Sequence, residues 1–146
     1  MGLLEKSPGR RTVAPATGAR RFVLPDVPHL EHLKATMIED VKTADLKLVL
    51  DTGATTSLIR LSSLLYLGFD PNQALRRLRV TTGSAVGTVP VFALTRLSAL
   101  GQHRFVFPVI GHALPSGSGI DGLLGLDFLR DQVLTIDFLL GQITLA

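Results

Sequence analysis

The stretch Leu48-Val49-Leu50-Asp51-Thr52-Gly53-Ala54-Thr55-Thr56-Ser57-Leu58-Ile59 decides how the chain is read. Residues 48–50 are continuously apolar, as in a strand covered on both faces. Gly53 permits a sharp turn directly after the acid. An acid at the tip of such a strand is an expensive placement, because burying a carboxylate without partners costs on the order of several kcal/mol. Packing alone gives little reason to put Asp51 there, which marks it as a candidate functional acid. Asp-Thr-Gly is also an ordinary turn sequence, so the tripeptide by itself decides nothing. Its weight comes from the frame around it.

The chain has 146 residues, 46% hydrophobic and 18% charged. That predicts one globular domain with a core of its own. Aromatic residues are few, so Leu, Val and Ile must fill that core. No run reaches the roughly eighteen apolar residues of a membrane helix, and the opening residues show no signal-peptide pattern. A cytoplasmic location is therefore expected. The myristoylation pattern fails at Lys6. Without cysteine the chain forms no disulfide and offers no thiolate to a metal. The net charge of +3 is unevenly spread: residues 1–34 carry six basic side chains against three acids, and residues 35–146 carry nine of each. A nucleic-acid-binding domain would want a basic folded part, and this body is neutral.

Residues 1–34 are expected to form a flexible basic arm and residues 35–146 the folded domain. Residues 1–21 have no hydrophobic period. His29 and His32 flank Leu30-Glu31 without the helical spacing of a zinc-protease pair, so they read as exposed histidines. A hairpin is expected from residues 36–41 and 45–50, turning at Lys42-Thr43-Ala44. A short helix should cover residues 61–67, with Ser62 as cap and Gly68 as stop. Residues 70–78 read as a second short helix, with Arg76, Arg77 and Arg79 on its solvated face. Residues 80–89, β-branched and broken by Gly83 and Gly87, suit a mobile hairpin. Strands follow at 89–97 and 104–110 around a Gly101-Gln102 turn, then at 120–125. A short helix over 126–130 precedes strands at 133–138 and 142–145, turning at Gly141. So many short strands predict an all-β, closed barrel with one or two short helices. There is no phosphate-loop lysine after the glycines at 117 and 119 and no Gly-x-Ser-x-Gly elbow.

Taken together, three anchors resemble the retropepsin-like aspartic proteases, particularly their bacterial members. They are Leu50-Asp51-Thr52-Gly53-Ala54, the Gly-bearing hairpin at Thr82-Gly83-Ser84, and Gly122-Leu123-Leu124-Gly125-Leu126-Asp127-Phe128-Leu129 with the closing strand after it. The resemblance spans about residues 36–146. It implies that Asp51 is catalytic and that Thr52, Gly53 and Ala54 support it. Thr82, Gly83 and Ser84 would then form a flap over substrate, while Leu124, Gly125 and Asp127 give structural support near the site.

Only one Asp-Thr-Gly is present. Peptide hydrolysis by carboxylates uses two that share a proton. The resemblance therefore implies a homodimer with one Asp51 from each copy, acting on extended, apolar-flanked peptide or protein segments. No metal, cofactor, nucleic acid or membrane span is expected. The alternative is a non-catalytic peptide-binding or dimerisation module that retains the fold. The intact Asp-Thr-Gly favours the enzyme, while the flap's lack of a bulky apolar tip counts the other way. Phe22-Val23-Leu24 is the one apolar stretch near the arm's junction that such an enzyme could cut in itself.

Overall fold

Strand β3 (Lys42–Leu50) carries the chain to Asp51, and its side chains alternate: Leu46 and Leu48 are buried while Asp45 and Lys47 are exposed. That two-residue period fits a strand with one face on the core. The computed structural model describes residues 20–23, 33–39 and 42–146. Strand β2 (Leu33–Glu39) pairs antiparallel with β3 from Leu33↔Leu48 to Glu39↔Lys42. The expected turn at Lys42-Thr43-Ala44 is therefore not one: all three residues lie within the ladder, opposite Glu39, Ile38 and Met37.

Downstream come β4 (Leu58–Arg60) and the helix α1 (Leu61–Tyr66). They are followed by β5 (Arg76–Thr82), β6 (Ala85–Ala99), β7 (Gln102–His112) and β8 (Gly122–Leu124). Last are β9 (Leu134–Asp137) and β10 (Gln142–Leu145). β6 pairs with β7 on one side and β2 on the other, so β2-β3-β8-β4-β7-β6 close into a six-stranded barrel. Closure leaves none of the six as an open edge. Among the described residues β5 pairs only with β6 and forms the outer strand of a hairpin. β1 (Arg20–Val23), β10 and β9 form a separate three-stranded sheet in that order. Ile143 and Leu145 of β10 belong to the same apolar core as Leu48, Leu94, Leu124 and Phe128.

The barrel turns a corner at its longest hairpin. On β6, Val91, Phe92 and Leu94 are buried, and then the period slips to Leu97 and Ala99. The β6–β7 ladder skips Thr95 and Val106. Thr95 donates its backbone N–H and its hydroxyl to Glu39 Oε2, at 2.9 and 3.0 Å, and Val106 sits at φ +48°. A β-branched residue is strained there. Beyond the kink Arg104 turns inward, its guanidinium 5.3 Å from the centre of the Phe128 ring. It also donates to the carbonyls of Phe128 and Arg130. The reversal at Leu100-Gly101 has positive φ at both residues (50° and 70°), as a two-residue hairpin loop requires.

Four other expectations change. Residues 70–78 are not a helix. Pro71–Gln73 is a single 3-10 turn, held because Asp70 Oδ1 accepts from Asn72 N at 2.8 Å, and the ladder of β5 with β6 begins at Arg76. Pairing to β6 thus overrides any local helical preference, and the three arginines lie on a strand. Ser62 does not cap α1, whose cap position is Arg60 with no side-chain bond. Gly68, at φ +98°, does follow the helix as its stop. Residues 126–132 form successive turns, with Phe128, Leu129 and Gln132 each donating to the carbonyl three residues back. Within the expected arm, Arg20–Val23 form β1, because β10 offers them a ladder from Arg20↔Leu145 to Val23↔Gln142. The remainder of residues 1–32, including His29, His32 and Leu24, lies outside the described residues. Cleavage at Phe22-Val23 would require β1 to leave this sheet.

β8 is threaded between β3, which it follows in parallel, and β4, which it opposes. A Cβ at Gly122 would lie 2.0 Å from the Leu58 carbonyl oxygen. Only glycine lets these backbones meet. Gly122→Ala should lower stability by about 3 kcal/mol, a fall of roughly 10 °C in the unfolding midpoint. Gly83→Ala, where a Cβ would meet nothing within 4 Å, should stay within about 0.5 kcal/mol of wild type. Thermal unfolding of the two variants checks both.

Candidate active site

Asp51 stands one residue past the end of β3, on a backbone fixed from two sides. Its N–H donates to the Leu124 carbonyl at 3.0 Å, extending the β3–β8 pairing by one bond. Its carbonyl accepts from Ala54 N at 3.2 Å, which closes the turn. Its Oδ1 accepts from Gly53 N at 2.9 Å. The Asp51 side chain is half-buried, while Thr52 and Gly53 are exposed. Within one chain the acid therefore lies at an open surface, with part of its hydrogen-bonding capacity facing outward.

The loop after Asp51 is tied down by the turn after β8. Ala54 O accepts from Leu126 N at 2.9 Å. Ser57, fully buried, donates its hydroxyl to Asp127 Oδ1 at 2.7 Å and its backbone N–H to Asp127 Oδ2 at 2.9 Å. The same hydroxyl accepts from Gly125 N at 2.9 Å. Asp127 Oδ1 also accepts from Phe128 N at 2.9 Å. One carboxyl group thus takes three bonds and one hydroxyl is used as both donor and acceptor. Such closed networks fix geometry, since loss of any member strands the others. Removing the Ser57 hydroxyl would leave the buried Gly125 N–H unpaired, a cost of about 1–3 kcal/mol. Gly125 is required by space: a Cβ there would lie 2.8 Å from Ala54 O and 2.9 Å from the Thr56 carbonyl carbon.

Asp51, Gly53, Ala54, Leu124, Gly125 and Asp127 therefore belong to one hydrogen-bonded assembly, whereas Thr52 projects from it. Gly83 and Ser84 lie elsewhere, exposed in the turn of the β5–β6 hairpin, with Thr82 as the last residue of β5. Among the described residues no hydrogen bond joins Gly83 or Ser84 to the Asp51 loop.

Two contributors escaped the sequence reading. Ser57 follows two other small polar residues, Thr55 and Thr56, just before the apolar Leu58-Ile59, so nothing local sets it apart. The other is the pair Arg60 and Asp121. Asp121 Oδ2 accepts from Lys47 N at 2.8 Å and its Oδ1 lies 4.0 Å from Arg60 Nε. Arg60 in turn donates to Leu114 O, Ser118 Oγ and Ile120 O, holding the loop that leads into β8. Neither residue falls in a motif, because the bonds join segments about 55–75 positions apart. Among the described residues no three histidine or acidic side chains gather as a metal site. No helix there is long and apolar enough to cross a membrane.

Comparison with known proteins bears on this arrangement. No curated protein matches the sequence. Among solved structures, the chain is similar to a retropepsin-like aspartic protease from Rickettsia conorii, with 18% identity and a TM-score of 0.66 over 88% of this chain and 89% of that one. The retroviral protease-like domain of Ddi1 from Leishmania major matches at 19% identity and a TM-score of 0.48, covering 75% of this chain and 82% of that one. At such identities the Rickettsia likeness speaks for the fold: a retropepsin-like all-β barrel. The family model of aspartyl proteases matches residues 35–128, from β2 through the Asp51 loop to the turn at Asp127 and Phe128. With more than half of its length in that match, the chain belongs to the aspartyl protease family.

Proposed function

We propose that this protein is an aspartic endopeptidase whose catalytic pair is formed by two Asp51 side chains, one from each subunit of a homodimer. The observation that carries the reading is Asp51 itself: an acid held by backbone bonds at a strand end, half-exposed, in a chain with one Asp-Thr-Gly. Two carboxyl groups brought together across a twofold axis hold one proton between them, a property known of aspartic-protease pairs. The ionised partner takes a proton from a water molecule as it attacks the scissile carbonyl carbon, and the protonated partner hydrogen-bonds the carbonyl oxygen. Thr52, exposed beside Asp51, would bond across the axis. Gly53 would let water and substrate approach closely. The hairpin turn at Thr82-Gly83-Ser84 would close over an extended peptide.

Exposed apolar residues support the dimer. Phe138 and Leu139 are each 77% exposed and Leu140 is 61% exposed, consecutively, in the β9–β10 turn; Val133 stands exposed just before β9. Among the described residues β9 is also an edge of its three-stranded sheet. Consecutive exposed apolar side chains beside a free strand edge mark an association surface. Deleting residues 141–146 would disturb more than this surface, because Ile143 and Leu145 are buried in the core. Point substitution in the turn is the cleaner probe.

Asp51→Asn should abolish peptidase activity on apolar-centred peptides while leaving fold and dimer mass unchanged, since the amide keeps the size but cannot serve as the base. Full activity in the purified variant rejects the assignment. An inactive wild type that still dimerises and binds extended peptides would favour a binding module. Separately, Phe138→Asp with Leu139→Asp should yield an inactive monomer with an unchanged circular dichroism spectrum. Light scattering that still reports a dimer would move the interface elsewhere.

A further inference from the structure

The outer strand of the β5–β6 hairpin carries an unbalanced charge. β5 pairs with β6 alone, so its other edge is open among the described residues. Three of its seven residues are Arg76, Arg77 and Arg79, all exposed. Residues 76–91 contain no acid. No carboxyl group among the described residues forms an ion pair with any of the three, and the bond described for them runs from Arg77 Nη2 to the Pro71 carbonyl at 2.9 Å. The body as a whole is neutral, so this hairpin concentrates positive charge locally.

The ladder sorts these residues by face. Arg77 pairs with Pro90 and Arg79 with Thr88, which puts both guanidinium groups on one face; Leu78, opposite Val89, and Val80, opposite Gly87, share the other face with Arg76 at its far end. A charged residue on an edge commonly guards against unwanted pairing. Here, on the proposed function, the edge is where an extended substrate would be added, and the guard becomes a selector.

We infer that the β5 edge selects acidic protein segments, with Arg77 and Arg79 pairing to carboxylates two residues apart on a peptide added as a strand. The inference rests on the proposed peptidase reading and names the substrate class for that site. An added strand lies about 4.8 Å from β5, and its alternate side chains repeat about every 6.6–6.8 Å, the spacing of Arg77 and Arg79. Guanidinium forks take carboxylates in bidentate geometry. The intervening peptide residue then falls on the face of Leu78 and Val80, where an apolar side chain fits. The recognised pattern is acid–apolar–acid, beginning three residues from Thr82 along β5, about 10 Å from the hairpin turn. Exposed charge pairs are individually weak, so two of them give roughly a fivefold to tenfold preference, one that shrinks as salt rises.

The test uses the full chain and three peptides with one apolar scissile centre, flanked by Glu-x-Glu, Gln-x-Gln or Lys-x-Lys. Within each protein, kcat/KM for the Glu peptide divided by that for the Gln peptide gives a ratio independent of overall activity. We expect about fivefold or more in wild type, about one in Arg77→Gln/Arg79→Gln, and below one in Arg77→Glu/Arg79→Glu. A wild-type ratio near one, or a ratio unchanged in the double variants, overturns the inference. If none of the peptides is cut, the peptidase reading fails on its own. Anisotropy of the labelled Glu and Gln peptides with the Asp51→Asn protein then decides this inference separately, by preferential binding of the Glu peptide that Arg77→Glu/Arg79→Glu removes. A labelled single-stranded oligonucleotide that binds more tightly than the Glu peptide, through the same arginines, would reassign the edge to nucleic acid.

Discussion

The bonds between Ser57 and Asp127 hold the proposed site in one shape. They join the loop that leaves β3 to the turn that leaves β8, segments 70 residues apart in sequence. Asp51 owes its position to those two segments: its N–H is bonded to Leu124, and the loop after it is bonded to Gly125, Leu126 and Asp127. Charge-assisted bonds of this kind contribute about 1.5–3 kcal/mol each when their partners are fixed. Their more important effect is geometric. On the proposed function, an acid that meets a twin across an axis tolerates little positional freedom, and the bonds of the buried Ser57 hydroxyl hold its loop in place.

The barrel explains why such a clamp is possible. β8 enters between β3 and β4, so one short strand brings the chain's last quarter against the Asp51 loop. Gly122 and Gly125 permit the two closest backbone approaches in that region. Arg60 and Asp121 secure the other end of β8. On the proposed function, the open side of Asp51 and the exposed Phe138-Leu139-Leu140 turn have a common reading: surfaces that a second copy completes.

Much of this was legible in the sequence, and the misses have physical causes. The strand ending at Asp51, the sharp turn at Gly53 and the barrel class followed from apolar runs and glycine positions, because those are local signals. Asp127 was singled out by resemblance, yet its partner Ser57 was not, since nothing local announces a bond to a residue 70 positions away. Residues 70–78 misled for a related reason: their composition allows a helix, but a ladder with β6 satisfies more backbone groups. The turn after β8 looked helical because its bonds are each local, though they never continue into a full helix. At the other end of the chain, β1 exists by virtue of β10, more than 100 residues distant.

The central claim is that one chain carries half a catalytic site. A peptide bearing a hydroxyl group in place of the scissile bond imitates the tetrahedral transition state and binds where both carboxyl groups converge. Its stoichiometry, measured by isothermal titration calorimetry, is the most direct test. The account predicts one peptide bound per two chains, with binding greatly weakened in Asp51→Asn. One peptide per chain, or equal binding by the Asp51→Asn protein, would contradict it.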